Sequence, residues 1–287
     1  MSITLRPHAP ADAPAVGKLA FDAFGDIARQ HNFPYDFPAQ EMAHGFAEMI
    51  CNHPNLVGRV AVDGQRVVGC NFLWRRNRIG GVGPICVEPS LQARGTGRRL
   101  MQAIIDAGRD MPGIRLVQDS FNRASLSLYA SLGFDVREPL AVMTGKLAAP
   151  APAGATARPM TADDLPRCAE ICTRVHGFDR TGELRDAIGM FRAHVLERGG
   201  RVVAYASSPW IWHMNHGVAE TEADLHDLLA GISATVPDPI ALLVPLRQTD
   251  LFRWLMSQGA RVMKPMNLMS MGWYQEPVGN WFPSVEY

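Results

Sequence analysis

The chain has 287 residues, 47% of them hydrophobic, and its 28 Lys and Arg are balanced by 28 Asp and Glu. This length suffices for two domains of roughly 100 to 150 residues with packed cores, and a net charge of zero supplies no overall field for nucleic acid or an anionic membrane. The five cysteines, Cys51, Cys70, Cys86, Cys168 and Cys172, mostly sit in apolar runs and read as reduced core residues; no second Cys or His pair stands at ligand spacing beside Cys168 and Cys172, which argues against zinc.

In chain order, Ser2-Ile-Thr-Leu-Arg6 reads as a polar strand and not as an export signal. Val16, Leu19, Ala20, Ala23 and Phe24 then fall on one face of a predicted helix from Ala11 to His31. The connection His31-Asn-Phe-Pro-Tyr-Asp-Phe-Pro38 leads to a second helix, ending near Asn52. Two β-branched runs, Leu56 to Val62 and Arg66 to Trp74, flank the hairpin dipeptide Asp63-Gly64. A third strand is expected from Gly81 to Val87, then a helix from Thr96 to Arg109, a strand from Arg115 to Asp119, a helix from Arg123 to Leu132 and a strand from Asp135 to Lys146. This order, an antiparallel meander followed by strand-helix-strand units, predicts an α/β (α+β) fold around a mixed sheet. No apolar run approaches the ~18 residues of a membrane span, so a cytoplasmic protein is expected.

Residues 148 to 157, Ala-Ala-Pro-Ala-Pro-Ala-Gly-Ala-Thr-Ala, have the composition of a linker. Across it the chain repeats: Arg6-Pro7, Asp12 and Pro14 recur with identical spacing as Arg158-Pro159, Asp164 and Pro166. The ends of the halves also correspond, Leu128-Tyr-Ala-Ser-Leu-Gly-Phe-Asp-Val136 with Trp254-Leu-Met-Ser-Gln-Gly-Ala-Arg-Val262. A duplicated domain is expected, with halves at 1–147 and 158–287.

The run from Ile85 to Leu100 places Gly95 and Gly97, with Arg94, Arg98 and Arg99, between a buried strand and an amphipathic helix. Glycines there leave the first N–H groups of the helix clear to face an anion, the arrangement of a phosphate cradle. By itself a Gly-x-Gly reads more readily as an ordinary tight turn before a helix. Here the sequence resembles the Gcn5-related N-acetyltransferase (GNAT) family, on two motifs in the family's order. Gln92-x-x-Gly95-x-Gly97 follows Val87-Glu88-Pro89, and Asn122, Ser125, Leu128, Tyr129, Gly133 and Phe134 form the second. The resemblance covers nearly all of residues 3 to 147.

It implies two tandem acyl-CoA N-acyltransferase domains, acetyl-CoA as cofactor without a metal, and direct acyl transfer to an amine. The backbone of Ile85, Cys86 and Val87 would pair with the pantetheine arm; Gln92, Arg94, Gly95, Thr96, Gly97 and Arg98 would hold the pyrophosphate. Asn122 would contact the cofactor, and Tyr129 would protonate the departing thiolate, which needs a nearby acid. For the base that deprotonates the amine, Asp119 is the first candidate, with Glu88 and a water relay as alternatives. Phe33, Tyr35 and Asp36 would shape the acceptor pocket, or the rings would simply cover the core.

In the second half, alignment on Gly133 and Gly259 puts Leu255 at the position of Tyr129, Gln248 at that of Asn122 and Leu251 at that of Ser125. Between the expected strand at 201–207 and a helix starting near Thr221 there is no Gly-x-Gly, and Glu220 and Glu222 would repel a pyrophosphate from the helix start. This half is expected to be a degenerate copy without cofactor. His213 and His216 read as structural, and the aromatic segment from Gly279 to Tyr287 is expected to dock, one option being the acceptor site. The expected partner is a small-molecule or peptide amine, in a chain more suited to a monomer than a homodimer; the competing reading is a non-catalytic acyl-CoA sensor.

Overall fold

The computed structural model describes residues 3–92 and 94–285. The chain divides into two compact units, Met1–Asp135 with Ser270–Trp273, and Val136–Met269 with Tyr274–Tyr287.

In the first unit, strand β1 (Ile3–Pro7) pairs antiparallel with β2 (Leu56–Asp63), which turns at Gly64 (φ +63°) into β3 (Arg66–Trp74). The third predicted strand is broken in two. Its first part, β4 (Gly80–Val82), pairs antiparallel with β3 and parallel with β6 (Gly113–Asp119), and its second, β5 (Cys86–Val87), pairs with β3. Pro84, with no N–H to give a ladder, lies in the break. Helices α1 (Ala13–His31) and α2 (Gln40–Asn52) bury Val16, Leu19, Ala43 and Ile50 with Val60, Cys70, Phe72 and Trp74 of the sheet. Leu100, from α3 (Thr96–Ala107), packs with Ala61 and Val68. Helix α4 (Arg123–Ser131) follows β6. The segment 270–273 completes this unit: Trp273 N–H donates to Pro112 C=O (2.8 Å), and a Cβ on Gly113 would stand 2.6 Å from Trp273 O.

In the second unit, β7 (Asp135–Gly145) lies between β12 (Ile240–Pro245), to which it is antiparallel, and β13 (Arg261–Gly272). A separate antiparallel sheet runs in the order β14 (Asn280–Phe282), β11 (Gly217–Ala219), β10 (Arg201–Ala206), β9 (His194–Arg198) and β8 (Thr156–Pro159). Helices α5 (Leu165–His176), α6 (Thr181–Met190), α7 (Glu222–Thr235) and α8 (Thr249–Ser257) complete it. The small-residue stretch expected as linker therefore ends inside a strand. Its size has a packing reason: a Cβ on Gly231 of α7 would lie 2.6 Å from the Cβ of Ala157, so the helix comes too close for larger residues. Strands β11 and β14, three residues each, carry too short a pattern to be read in advance.

The repeat is physical. Arg6 donates to both oxygens of Asp12 (2.8 and 2.7 Å), which also accepts from Ala9 N–H (2.8 Å). Arg158 does the same to Asp164 (2.8 and 2.8 Å), which accepts from Thr161 N–H (2.8 Å). Each pair fixes the angle at which the chain leaves a strand and enters a helix. Gly133 and Gly259 end α4 and α8 at φ values of +101° and +103°. All five cysteines are free and buried, and no helix among the described residues is long and apolar enough to cross a membrane.

Candidate functional site

The expected cofactor residues all lie in the first unit, at the junction of β5, α3, β6 and α4. Glu88 N–H donates to Val68 C=O (3.0 Å), and Cys86 stands opposite Cys70. In an antiparallel ladder bonded pairs alternate, so the backbone groups of Val87 and Ile85 face away from β3. The Val87 carbonyl shows this directly by accepting from the Gln92 amide (3.1 Å). The Cys86 side chain is buried, and its hydrogen bond to Cys70, ahead of burial, pushes the Cys70 thiol well up. Cys86 thus offers the site backbone and not sulfur.

Beyond β5 the chain enters α3 at Gly95, whose left-handed conformation (φ +84°) a side chain would strain. Gly95, the N-cap, has no side chain to cap this helix, which leaves its first N–H groups suited to an anion. A Cβ on Gly97 would lie 3.6 Å from Leu128 and 3.9 Å from Val87, which brings the helix start, β5 and α4 to one place. Arg94 and Arg98 are exposed there, Arg98 donating to Ser131 Oγ (2.7 Å). Glu88 is held by Arg66 (2.5 Å) and Ser90 (2.8 Å), the arrangement of a solvated surface carboxylate.

Asn122 caps α4: its side-chain oxygen accepts from Ser125 N–H (3.1 Å), leaving the amide NH2 to face elsewhere. Two turns on, Tyr129 is 6% exposed. Burial first, then the nearby acidic groups Cys86 and Asp119, raise its pKa above the usual tyrosine value. Asp119 ends β6, buried, and its carbonyl accepts from Asn122 N–H (2.8 Å).

The aromatic connection divides. Phe33 stacks on Phe121 at 4.1 Å, with His31 on the same ring at 5.1 Å. Asp36 is half-buried, Tyr35 is 44% exposed, and Phe37 belongs to the core beside Phe24 and Phe46. Phe121, between Asp119 and Asn122, thus joins the surroundings of the site. Its only signal in the sequence is an aromatic side chain inside the second motif's approach.

Residues 23–134 match the acetyltransferase (GNAT) family. No curated protein matches the sequence. Among solved structures, a Pyrococcus horikoshii protein provisionally classed as an acetyltransferase superposes with a TM-score of 0.78 at 16% identity, over 99% of this chain and 94% of that one. A GCN5-related N-acetyltransferase from Sphaerobacter thermophilus gives 0.64 at 17%, over 97% and 98%. A tandem GNAT protein from the clavulanic acid biosynthesis pathway gives 0.59 at 14%, over 94% and 98%. The first unit carries the two motifs and the match to the GNAT acetyltransferase family over residues 23–134, and almost the whole chain shares its fold with these solved structures.

Proposed function

We propose that the first unit transfers an acetyl group from acetyl-CoA to a primary amine of a small molecule, amino acid or peptide. The observation that carries this reading is the outward edge of β5 leading onto a glycine-bearing helix start, with the buried Tyr129 beside it. When bound, acetyl-CoA supplies an activated thioester and, after transfer, a thiolate leaving group.

The chain's own groups have distinct tasks. Ile85 and Val87 offer N–H and C=O groups to the pantetheine amides as an added strand would, and the N–H groups at the start of α3 with Arg94 and Arg98 hold the pyrophosphate. The Gln92 amide, now on the Val87 carbonyl, is released to the phosphates or stays to set the loop. The Asn122 NH2 donates to the cofactor while its oxygen keeps the cap. Tyr129 holds its proton at neutral pH, since its pKa is raised, and would donate it in a hydrogen bond to the leaving sulfur, offsetting the charge there. Asp119 accepts the proton that the ammonium must lose before nitrogen can attack. Phe33 and Phe121 supply an apolar wall and Asp36 a negative charge for a cationic acceptor.

The second unit takes no cofactor in this reading. Leu255, fully buried, stands at the place of Tyr129. The start of α7 is satisfied by its own Thr221, which accepts from Asp224 N–H (3.1 Å), and carries Glu222 in its first turn. Titration calorimetry tests the proposal. One acetyl-CoA should bind per chain, the Gly97→Glu variant should bind none, and a panel of amines should reveal turnover. A parent chain that binds no acetyl-CoA would refute the reading, and binding without turnover on any amine would favour the sensor.

A further inference from the structure

The two units carry the same strand pair with opposite fates. In the first, Glu88 N–H donates to Val68 C=O, and Arg66 bridges to Glu88. In the second, Glu220 N–H donates to Val203 C=O (2.9 Å), and Arg201 bridges to Glu220 (2.7 Å). The sequences agree, Arg66-Val-Val68 with Arg201-Val-Val203. β11 is therefore the counterpart of β5, Ala219 of Val87 and Gly217 of Ile85, and by the same alternation their backbone groups face away from β10.

That edge is taken. Asn280 and Phe282 of β14 stand opposite Ala219 and Gly217, the positions that correspond to those offered to pantetheine in the first unit. Gln248, the counterpart of Asn122 at the start of α8, donates its amide to the Trp281 carbonyl (2.9 Å). The two residues share nearly the same backbone conformation (φ −81°, ψ 66° against φ −81°, ψ 83°). β14 also touches β12 and α7, so it lies among the elements that correspond to β6 and α3. The cleft is fitted to it: a Cβ on Gly217 would come within 2.3 Å of the Phe282 ring, and Trp281 and Phe282 are buried.

A polar latch follows. Ser284, fully buried, accepts from Arg180 (2.7 Å) and donates to Glu183 (2.9 Å), both inside the unit. Arg180 and Glu183 also pair with each other, and His216 lies 3.4 Å from Glu183. Backbone bonds hold either end, Val278 N–H to Val175 C=O (3.0 Å) and Val285 N–H to His213 C=O (2.9 Å). The part of the cleft left open beside β14 is lined by Glu222, Asp250, Gln248, Asn280 and Arg247, and the arginine is already paired with Glu138 and Glu276.

We propose that the cofactor cleft of the second unit has become a peptide-binding groove, whose ligand is the chain's own segment 278–285. Backbone pairing on β11 places it, Trp281 and Phe282 fill it, and the Arg180–Glu183 pair reads Ser284. The equivalence of the clefts rests on the proposed cofactor site of the first unit, but the groove can be tested without it.

The full chain is prepared with a specific protease sequence inserted between Gln275 and Glu276, folded, and then cut. The released piece should co-elute with the chain in gel filtration and exchange with a labelled peptide of residues 276–287, saturably, one per chain. Trp281→Ala or Ser284→Ala in the peptide should weaken binding by at least about tenfold, the cost of one lost anchor or charge-assisted bond. Saturating acetyl-CoA should not displace it. A piece that elutes separately, a labelled peptide that binds no better than its scrambled version, or displacement by acetyl-CoA would each overturn the proposal. In the unaltered chain, hydrogen exchange at Asn280 and Phe282 should be as slow as within β10, and exchange at the rate of an exposed segment would overturn it too. Failure of the parent to bind acetyl-CoA would leave these readouts unchanged and count only against the first unit.

Discussion

Tyr129 is buried among acidic neighbours, so its hydroxyl stays protonated beyond the usual value of 10. A thiolate with a pKa near 8.5 cannot fully deprotonate such a phenol at rest, but the hydrogen bond it receives still offsets the charge that grows on sulfur. General-acid assistance of this kind contributes about 10²–10⁴-fold. Tyr129→Phe should therefore lower kcat by about 100-fold or more, while KM for acetyl-CoA moves little. The ratio of parent to variant kcat should stay flat between about pH 6 and 10, because the proposed donor does not titrate there; a ratio that falls toward 1 near pH 8 would mean the hydroxyl is not the donor. Tyr129 and Asn122 stand out in the sequence through the motif that resembles the family's. The stacking of Phe33 on Phe121 does not, because the two residues lie 88 positions apart and only the fold makes them neighbours.

The paired strand-to-helix connections make their own prediction. Asp164 is 7% exposed and accepts from Arg158 and Thr161, bonds that together hold its pKa below the ordinary carboxylate value, with burial opposing. Because the folded value is the lower one, its contribution is complete above the unfolded pKa near 4 and is lost as pH falls through the folded value. Asp164→Asn should cost about 1.5–3 kcal/mol in denaturant unfolding at pH 7, the range for hydrogen bonds to a charged group. At about pH 3 the gap between parent and variant should have narrowed; an unchanged gap would show that the loss is steric. The spacing Arg-Pro-x4-Asp was visible as a repeat, and the ion pair is the reason both copies keep it.

At the scale of the molecule, the two compact units do not coincide with the two sequence halves. The first unit takes in residues 270–273, and the second takes in the strand that ends the first half. A fragment of residues 1–147 would lack the Trp273 to Pro112 bond and the backbone packed on Gly113, and would leave β7 without β12 and β13. It should unfold at lower denaturant than the full chain and bind acetyl-CoA more weakly, as chemical denaturation and calorimetry would measure; equal stability would show that the halves are self-sufficient.

The sequence by itself determined the elements of the first half apart from the break in its third strand, the repeat, the glycine-bearing helix start and the loss of Tyr129's counterpart, because each is a local pattern of spacing, capping or turn chemistry. Only the tertiary structure decided which strand edges are paired and which lie open. Val87 and Ala219 sit in equivalent strands, and no local pattern tells that one edge faces outward while β14, more than 60 residues further along the chain, closes the other. Strand pairing is a long-range choice made by backbone groups common to every residue, so it leaves almost no mark on the side chains that a sequence displays.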